Sequence, residues 1–196
     1  MKKLLTSVAV ALIGVQAAFS QGQVNFNNSV ATFGNDGIDR FVYSDVVGGT
    51  RMSGTNYVAA IYWGTSVDSL NNFAVRTLAD TTLQSAVGAF RASTSASIGT
   101  WVGGARFFVG ANIGETVQLQ IRVWDITRFA TYADALGQGG ITGHSDTFSF
   151  LIPASTDTAG LAMRNLRAFA LVPEPSTIAL AVLGLGSLLL FRRKKA

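Results

Sequence analysis

The sequence predicts a mainly β domain, an antiparallel β-sandwich or jelly-roll-like fold with one short helix, on three observations. Residues 116–124 alternate regularly between the two faces of a strand, with apolar side chains at every second position. Seven further short segments are rich in Val, Ile, Phe and Tyr. Glycine-rich breaks, such as those at residues 48–49 and 103–104, separate them. About eight strands over roughly 150 residues are typical of a sandwich.

The predicted elements follow one another with short connections. Besides 116–124, the predicted strands cover residues 23–26, 41–47, 56–63, 82–90, 105–109, 146–152 and 166–172. The one predicted helix covers residues 128–136 and ends at Gly137. The chain is thus divided into a segment at 1–20, a β-sandwich domain at 21–172 and a segment at 173–196.

Composition and charge exclude several classes of function. The 196 residues include no cysteine, which excludes disulfide frameworks, thiolate zinc sites and cysteine nucleophiles. The net charge of +4 comes from the two ends of the chain, where six of the 15 basic residues lie. Nine arginines and ten acids remain at 21–172, so this domain lacks the basic excess that nucleic acid requires. We therefore predict no nucleic-acid partner.

Residues 1–20 predict a secretory signal peptide with a helical apolar core. Two lysines precede an apolar run, and Ala18 and Ser20 are the small residues that a signal peptidase requires. Cleavage is expected between Ser20 and Gln21, and a cut after Ala17 or Ala18 is the alternative. The domain at 21–172 would then be exported across the inner membrane.

Residues 173–196 predict a membrane-anchoring segment. Pro173, Glu174 and Pro175 precede an apolar stretch that would form a transmembrane helix at about residues 177–191. At about 1.5 Å per residue, the helix is short for a hydrocarbon core of ~30 Å, so the span is marginal. A basic stop-transfer cluster follows, which would stay on the cytoplasmic side; it consists of Arg192, Arg193, Lys194 and Lys195.

This C-terminal segment resembles the PEP-CTERM sorting signal of Gram-negative bacteria. The Pro-Glu-Pro triplet, the short apolar helix and the basic end occur in the order of that signal. The resemblance implies an exosortase-type processing enzyme as partner, with Glu174 as the charged residue of the recognition motif, and a tether to the membrane that is at least transient. It also implies a final location at the cell surface or in the extracellular matrix. Segments at 22–28, 54–64 and 117–125 resemble uncharacterised exported proteins with the same tail, and this second resemblance implies no activity.

No catalytic residue and no cofactor are predicted. His144 is the single histidine, and it stands beside Ser145 and Asp146. Three consecutive residues of a strand cannot form a triad, because their side chains alternate sides, so catalysis at His144 would need a remote serine and aspartate. Glu115 is the one glutamate between residues 21 and 172. A glycan hydrolase, which needs two carboxylates, is therefore the least supported hypothesis.

No metal site is predicted either. Asn35, Asp36 and Asp39 surround a glycine and offer oxygen ligands. They lack the alternating acids and the distant glutamate of a full calcium loop. Calcium binding by this turn stays open.

The sequence favours a non-enzymatic surface or extracellular-matrix protein with a structural or adhesive role. The alternative is a carbohydrate-binding module that recognises exopolysaccharide through exposed rings of Trp63, Trp101 and Trp124. Trp124 has the polar parity of its strand, which predicts exposure unless the helix at 128–136 covers it. Arginine also suits planar pairing with carboxylates, so the nine arginines are compatible with an acidic polysaccharide.

Overall fold

The computed structural model describes residues 21–101, 103–154 and 156–173. The predicted signal peptide, the predicted transmembrane helix, the basic cluster and Glu174 with Pro175 lie outside the described residues. Within the described part, no helix combines the length and apolar character needed to cross a membrane.

The described residues form a mainly β fold with short helices. The strands are β1 (Gln21–Phe26), β2 (Val42–Tyr43), β3 (Tyr57–Gly64), β4 (Asn72–Phe73), β5 (Gly88–Ala89), β6 (Gly104–Asn112), β7 (Thr116–Asp125), β8 (Ile141–His144), β9 (Phe148–Leu151) and β10 (Phe169–Pro173). The α-helices are α1 (Leu83–Ala86) and α2 (Tyr132–Gly137), and single 3-10 turns occur at Val30–Phe33 and Val67–Ser69.

The strands form two sheets. Strands β1 and β6 pair antiparallel in the small sheet. The large sheet has the order β2-β10-β8-β7-β3-β4, with β5 also paired to β3 and β9 to β7. The pairing of β10 with β2 is parallel, and the other pairings in this sheet are antiparallel.

The antiparallel pair β3–β7 forms the centre of the large sheet. All eight residues of β3 have a partner, from Tyr57 opposite Asp125 to Gly64 opposite Gln118. Their inward side chains are buried and apolar; they are Ala59, Ile61, Trp63, Leu119, Ile121 and Val123. The ring of Phe108 on β6 lies 5.5 Å from Trp63 and 5.9 Å from Phe150. The two sheets therefore share one core.

Helix α2 covers one end of the outer surface of the large sheet. It begins with a capping box, in which the Thr131 hydroxyl accepts from the Asp134 amide and the Asp134 carboxylate accepts from the Thr131 amide. Tyr132 and Ala135 of this helix are buried against Trp124, whose indole N–H donates to the carbonyl of Phe129. A second, smaller core thus lies behind the first.

The strands predicted at 23–26, 56–63, 105–109, 116–124, 146–152 and 166–172 correspond to β1, β3, β6, β7, β9 and β10. The strand predicted at 82–90 is wrong over its first half, which forms α1 before the short β5. Buried Arg106 explains the change, because its guanidinium donates to the carbonyls of Ala86 and Val87. Those carbonyls are thereby satisfied without a neighbouring strand.

Three other expectations need correction. The strand predicted at 41–47 contains only β2, because Asp45 accepts from the amides of Val46 and Thr50 and turns the chain. Helix α2 starts four residues later than predicted, at the capping box of Thr131. Strands β4 and β8 were not predicted, since neither carries a clear alternating pattern.

The assignment of one face of β7 to the core can be tested with the substitution Leu119→Ala. Leu119 is fully buried opposite Trp63, so the substitution should lower the free energy of unfolding by about 2–5 kcal/mol. Gln118→Ala, on the other face of the same strand, should cost less than about 1 kcal/mol. Urea unfolding of the full chain in detergent measures both, and equal losses would contradict the assignment of the two faces.

Candidate functional site

The three tryptophans that the sequence offered as a glycan platform are buried. Their exposed fractions are 5% for Trp63, 1% for Trp101 and 0% for Trp124. The Trp101 ring lies 5.0 Å from Phe26, and its N–H donates to the carbonyl of that residue. The prediction that these rings are exposed is therefore wrong. For Trp124 the strand parity was correct, but α2 covers that part of the face.

The carboxylates of the turn at 35–39 accept hydrogen bonds from other groups of the protein. Both oxygens of Asp36 accept from Arg40 at 2.8 Å, and this hydrogen bond lowers the Asp36 pKa to about 2. Asp39 accepts from the amide of Phe41 and from the hydroxyl of Tyr43. Among the described residues, no three His, Asp or Glu side chains cluster as metal ligands would. The turn that left calcium binding open is thus built around an arginine.

Arg40 joins two segments that are distant in the sequence. Its guanidinium also donates to the carbonyl of Arg164 at 2.8 Å and lies 3.9 Å from the centre of the Phe33 ring. Arg40 is buried, and burying a charged group is costly unless it is paired or hydrogen-bonded. The Arg40–Asp36 ion pair is therefore a structural contact within the loop between β1 and β2, and the bond from Arg40 to the Arg164 carbonyl joins that loop to the one before β10.

Glu115 closes the turn between β6 and β7. Its carboxylate accepts from the side-chain amide of Asn112 at 2.9 Å and from the backbone amide of the same residue at 3.1 Å. Both bonds lower the Glu115 pKa, and the bond from the Asn112 side chain has the larger effect. A general acid for glycoside cleavage needs a raised pKa, so this carboxyl is shifted in the wrong direction for that role.

His144 and Ser145 do not form a catalytic pair. The Ser145 hydroxyl donates to the carbonyl of Asp146 at 2.8 Å and accepts from the amide of Ile121 at 3.0 Å. It therefore fixes the chain between β8 and β9 to β7. The His144 ring is exposed, and its Nδ1 lies 3.3 Å from the side-chain nitrogen of Gln120.

The outer surface of the large sheet is open beyond α2 and carries polar side chains. We call this surface the outer polar face; it consists of Tyr62, Gln118, Gln120, Arg122, His144 and Ser149. The register brings them together, because Arg122 lies opposite His144, Gln120 opposite Tyr62, and Gln118 opposite Ser149. Sequence analysis did not single out this face. The sequence feature that indicates this face is the run of polar residues Gln118, Gln120 and Arg122 at every second position of β7.

Hydrogen bonds and ring contacts order the outer polar face. The Gln118 side-chain nitrogen donates to the Ser149 hydroxyl at 3.1 Å, and Gln120 Oε1 accepts from Arg122 Nε at 2.7 Å. The Arg122 guanidinium lies 4.1 Å from the centre of the Tyr62 ring. Within the described residues, no carboxylate lies within ion-pair distance of Arg122.

A cleft of about 240 Å³ borders this face at strand β9. Its lining includes Ser149, Leu151, Asp157, Arg164 and Asn165. The Asn165 side-chain nitrogen donates to the Ser149 carbonyl at 3.0 Å, and one Asp157 oxygen accepts from the Gly160 amide. The loop after β9 thus forms the far wall, which strand patterns alone could not reveal.

The Arg40–Asp36 contact predicts a specific dependence of stability on pH. Because the Asp36 pKa is lowered from 3.8 to about 2, its stabilising effect is complete above about pH 4 and disappears as the pH falls towards 2. Asp36→Asn should therefore unfold at lower urea concentration than the wild type at pH 7, and the difference should close between pH 4 and pH 2. Urea unfolding across this pH range measures it. Asp68→Asn is the matched charge control, and a difference independent of pH would contradict the ion pair.

The comparisons with known proteins concern the C-terminal segment. The family model for the PEP-CTERM protein-sorting motif matches residues 171–195. No curated protein and no solved structure matches the chain significantly. The matched segment starts inside β10, where Leu171 lies opposite Gly143. The chain therefore carries the membrane-anchored sorting signal of PEP-CTERM proteins, which supports an exported exosortase substrate.

Proposed function

We propose that this chain is a non-enzymatic protein of the cell surface or extracellular matrix of a Gram-negative bacterium, with a structural or adhesive role. The observation that carries the proposal is the sorting motif at residues 171–195, which begins inside the last strand of a β-rich domain. A β-rich domain whose described carboxylates and Ser145 hydroxyl make structural hydrogen bonds, delivered by a sorting signal, fits a role in structure or adhesion.

The domain at 21–172 is proposed to be a β-sandwich. Its support is the core that both sheets share, in which Phe108 of the small sheet contacts Trp63 and Phe150 of the large one. Such a core stabilises a domain of this size without disulfides. This suits a chain that has no cysteine and functions outside the cell.

The non-enzymatic role is supported by the structural hydrogen bonds that the polar side chains make. Asp36 and Asp39 fasten the first loop, Glu115 closes a turn, and the Ser145 hydroxyl links strands. A nucleophile or general acid needs a side chain that can reach a substrate. These side chains are held by structural hydrogen bonds.

The proposed route uses both ends of the chain. Signal peptidase would remove residues 1–20 between Ser20 and Gln21, and the apolar helix at about 177–191 would hold the product in the membrane. Pro173 and Pro175 favour an extended backbone around Glu174, which suits the cleft of a processing enzyme. Because β10 ends at Pro173, cleavage beyond that residue would leave the sheet complete.

Binding of exopolysaccharide is the second candidate function. The buried tryptophans no longer support it as exposed platforms. The outer polar face does, because it presents amide, hydroxyl, imidazole and guanidinium groups together on one open surface. Polar groups of these kinds, with one partly exposed tyrosine, can hydrogen-bond to sugar hydroxyls.

The proposed route predicts the intact mass of the native protein in membrane, surface and medium fractions. We expect a surface or released form that lacks residues 1–20 and a segment beyond Pro173. Glu174→Gln should leave the tail attached and the chain in the membrane fraction, whereas Asp68→Asn, an equal change of charge, should be processed normally. A wild-type mass that retains residues 178–196 and occurs only in membranes would refute sorting.

A further inference from the structure

We propose that the outer polar face binds a carboxylated polysaccharide strand and that Arg122 binds its carboxylate. This inference deepens the second candidate function and rests on it, because it names the class of glycan and the contacting residue. It starts from the hydrogen-bonding state of Arg122.

Arg122 retains donors that the fold does not use. A guanidinium has five N–H groups. Arg122 donates from Nε to Gln120 at 2.7 Å and from Nη2 to the carbonyl of Leu70 at 3.4 Å. Three N–H groups therefore remain without an acceptor among the described residues. The side chain is half-buried, so a ligand can reach it from the open face.

The two arginines that are buried among the described residues differ in this respect. Arg40 is buried and paired with the carboxylate of Asp36. Arg106 is buried and donates to three carbonyls, those of Ala86, Val87 and Ala105. Arg122 combines a fixed position with access and with no carboxylate in ion-pair distance within the described part of the chain. A planar guanidinium in this state is complementary to a carboxylate, which it can bind through two parallel hydrogen bonds.

The guanidinium is held in place before a ligand arrives. Its carbon lies 4.1 Å from the centre of the Tyr62 ring and 5.3 Å from that of Tyr132. Gln120 holds Nε and is itself within hydrogen-bond distance of His144. Such contacts reduce the side-chain entropy lost on binding, which favours affinity.

The rest of the face suits the hydroxyl groups of a polymer. Arg122, Gln120 and Gln118 follow one another at every second position of β7, a distance of about 14 Å from first to last. The Gln118–Ser149 pair at the far end can donate to and accept from hydroxyls. A row of this length exceeds what a single sugar ring can contact, and beyond it the cleft lined by Ser149 and Asn165 continues the path. The face therefore favours a strand over a monosaccharide.

The test measures binding of the full chain, kept in detergent, to three immobilised polymers. Polygalacturonate supplies carboxylates, its carboxyl-reduced product supplies the same chain without them, and dextran is neutral throughout. We expect binding to polygalacturonate at least about tenfold tighter than to the other two, the difference that one charge-assisted contact supplies.

Four variants assign this binding to the outer polar face. Arg122→Gln should weaken binding to polygalacturonate by about tenfold or more, and Arg122→Lys should fall between it and the wild type, because lysine keeps the charge and loses the planar fork. Gln118→Ala should weaken binding by a few-fold. Arg91→Gln is the matched control, since Arg91 is exposed and lies outside the face.

Three results would overturn the inference. They are equal binding to polygalacturonate and its reduced product, no binding to polygalacturonate, and an equal loss in Arg91→Gln and Arg122→Gln. If Arg122→Gln does not fold, Arg122→Lys and Gln118→Ala take its place in the comparison with Arg91→Gln. Equal losses of binding in these variants and in Arg91→Gln would then overturn the inference. A protein that is processed normally but fails these tests would refute this inference and leave the sorted, structural role in place.

Discussion

The antiparallel pairing of β3 with β7 decides which side chains of the large sheet enter the core and which reach the outer surface. Because eight consecutive pairs fix the register, every second side chain of both strands must face the core. The remaining side chains must face outwards, where α2 covers one end and the outer polar face occupies the other. A slip by one residue would exchange Leu119 with Gln118 or Gln120, and would abolish the core and the face together.

Buried polar contacts fasten the loops of this cysteine-free chain. The Asn28 side chain donates to the carbonyls of Arg40 and Gly99 and accepts from the amide of Trp101. It therefore joins segments more than 70 residues apart in the sequence. Arg106 is fully buried, and burial lowers its pKa to about 10, so its guanidinium still carries a charge at neutral pH. Three backbone carbonyls and the Phe26 ring, 5.1 Å away, stabilise that charge.

Local sequence pattern predicted the long strands and failed where distant residues decide the structure. Strand β7 was recognisable because its alternation reflects burial on one side, and β3 and β6 were recognisable for similar reasons. The segment of α1 and β5 was not, because Arg106, some 20 residues away, satisfies its carbonyls. Trp124 shows the same limit at the candidate site. The alternation along β7 predicted the face on which Trp124 lies, whereas the helix that covers it depends on tertiary packing. The outer polar face needed the register between strands, whereas the sorting motif is contiguous and was recognisable from sequence alone.

In our proposal, the β3–β7 pair is a rigid platform whose two faces act independently, one for stability and one for recognition. Amide hydrogen exchange of the full chain, with and without Arg122→Gln, measures this rigidity and this independence. We expect amides of residues 57–64 and 117–124 to exchange slowest within residues 21–173, and we expect the substitution to leave their protection unchanged. Exchange in these strands as fast as in the loop at 92–98, or a loss of their protection in Arg122→Gln, would contradict it.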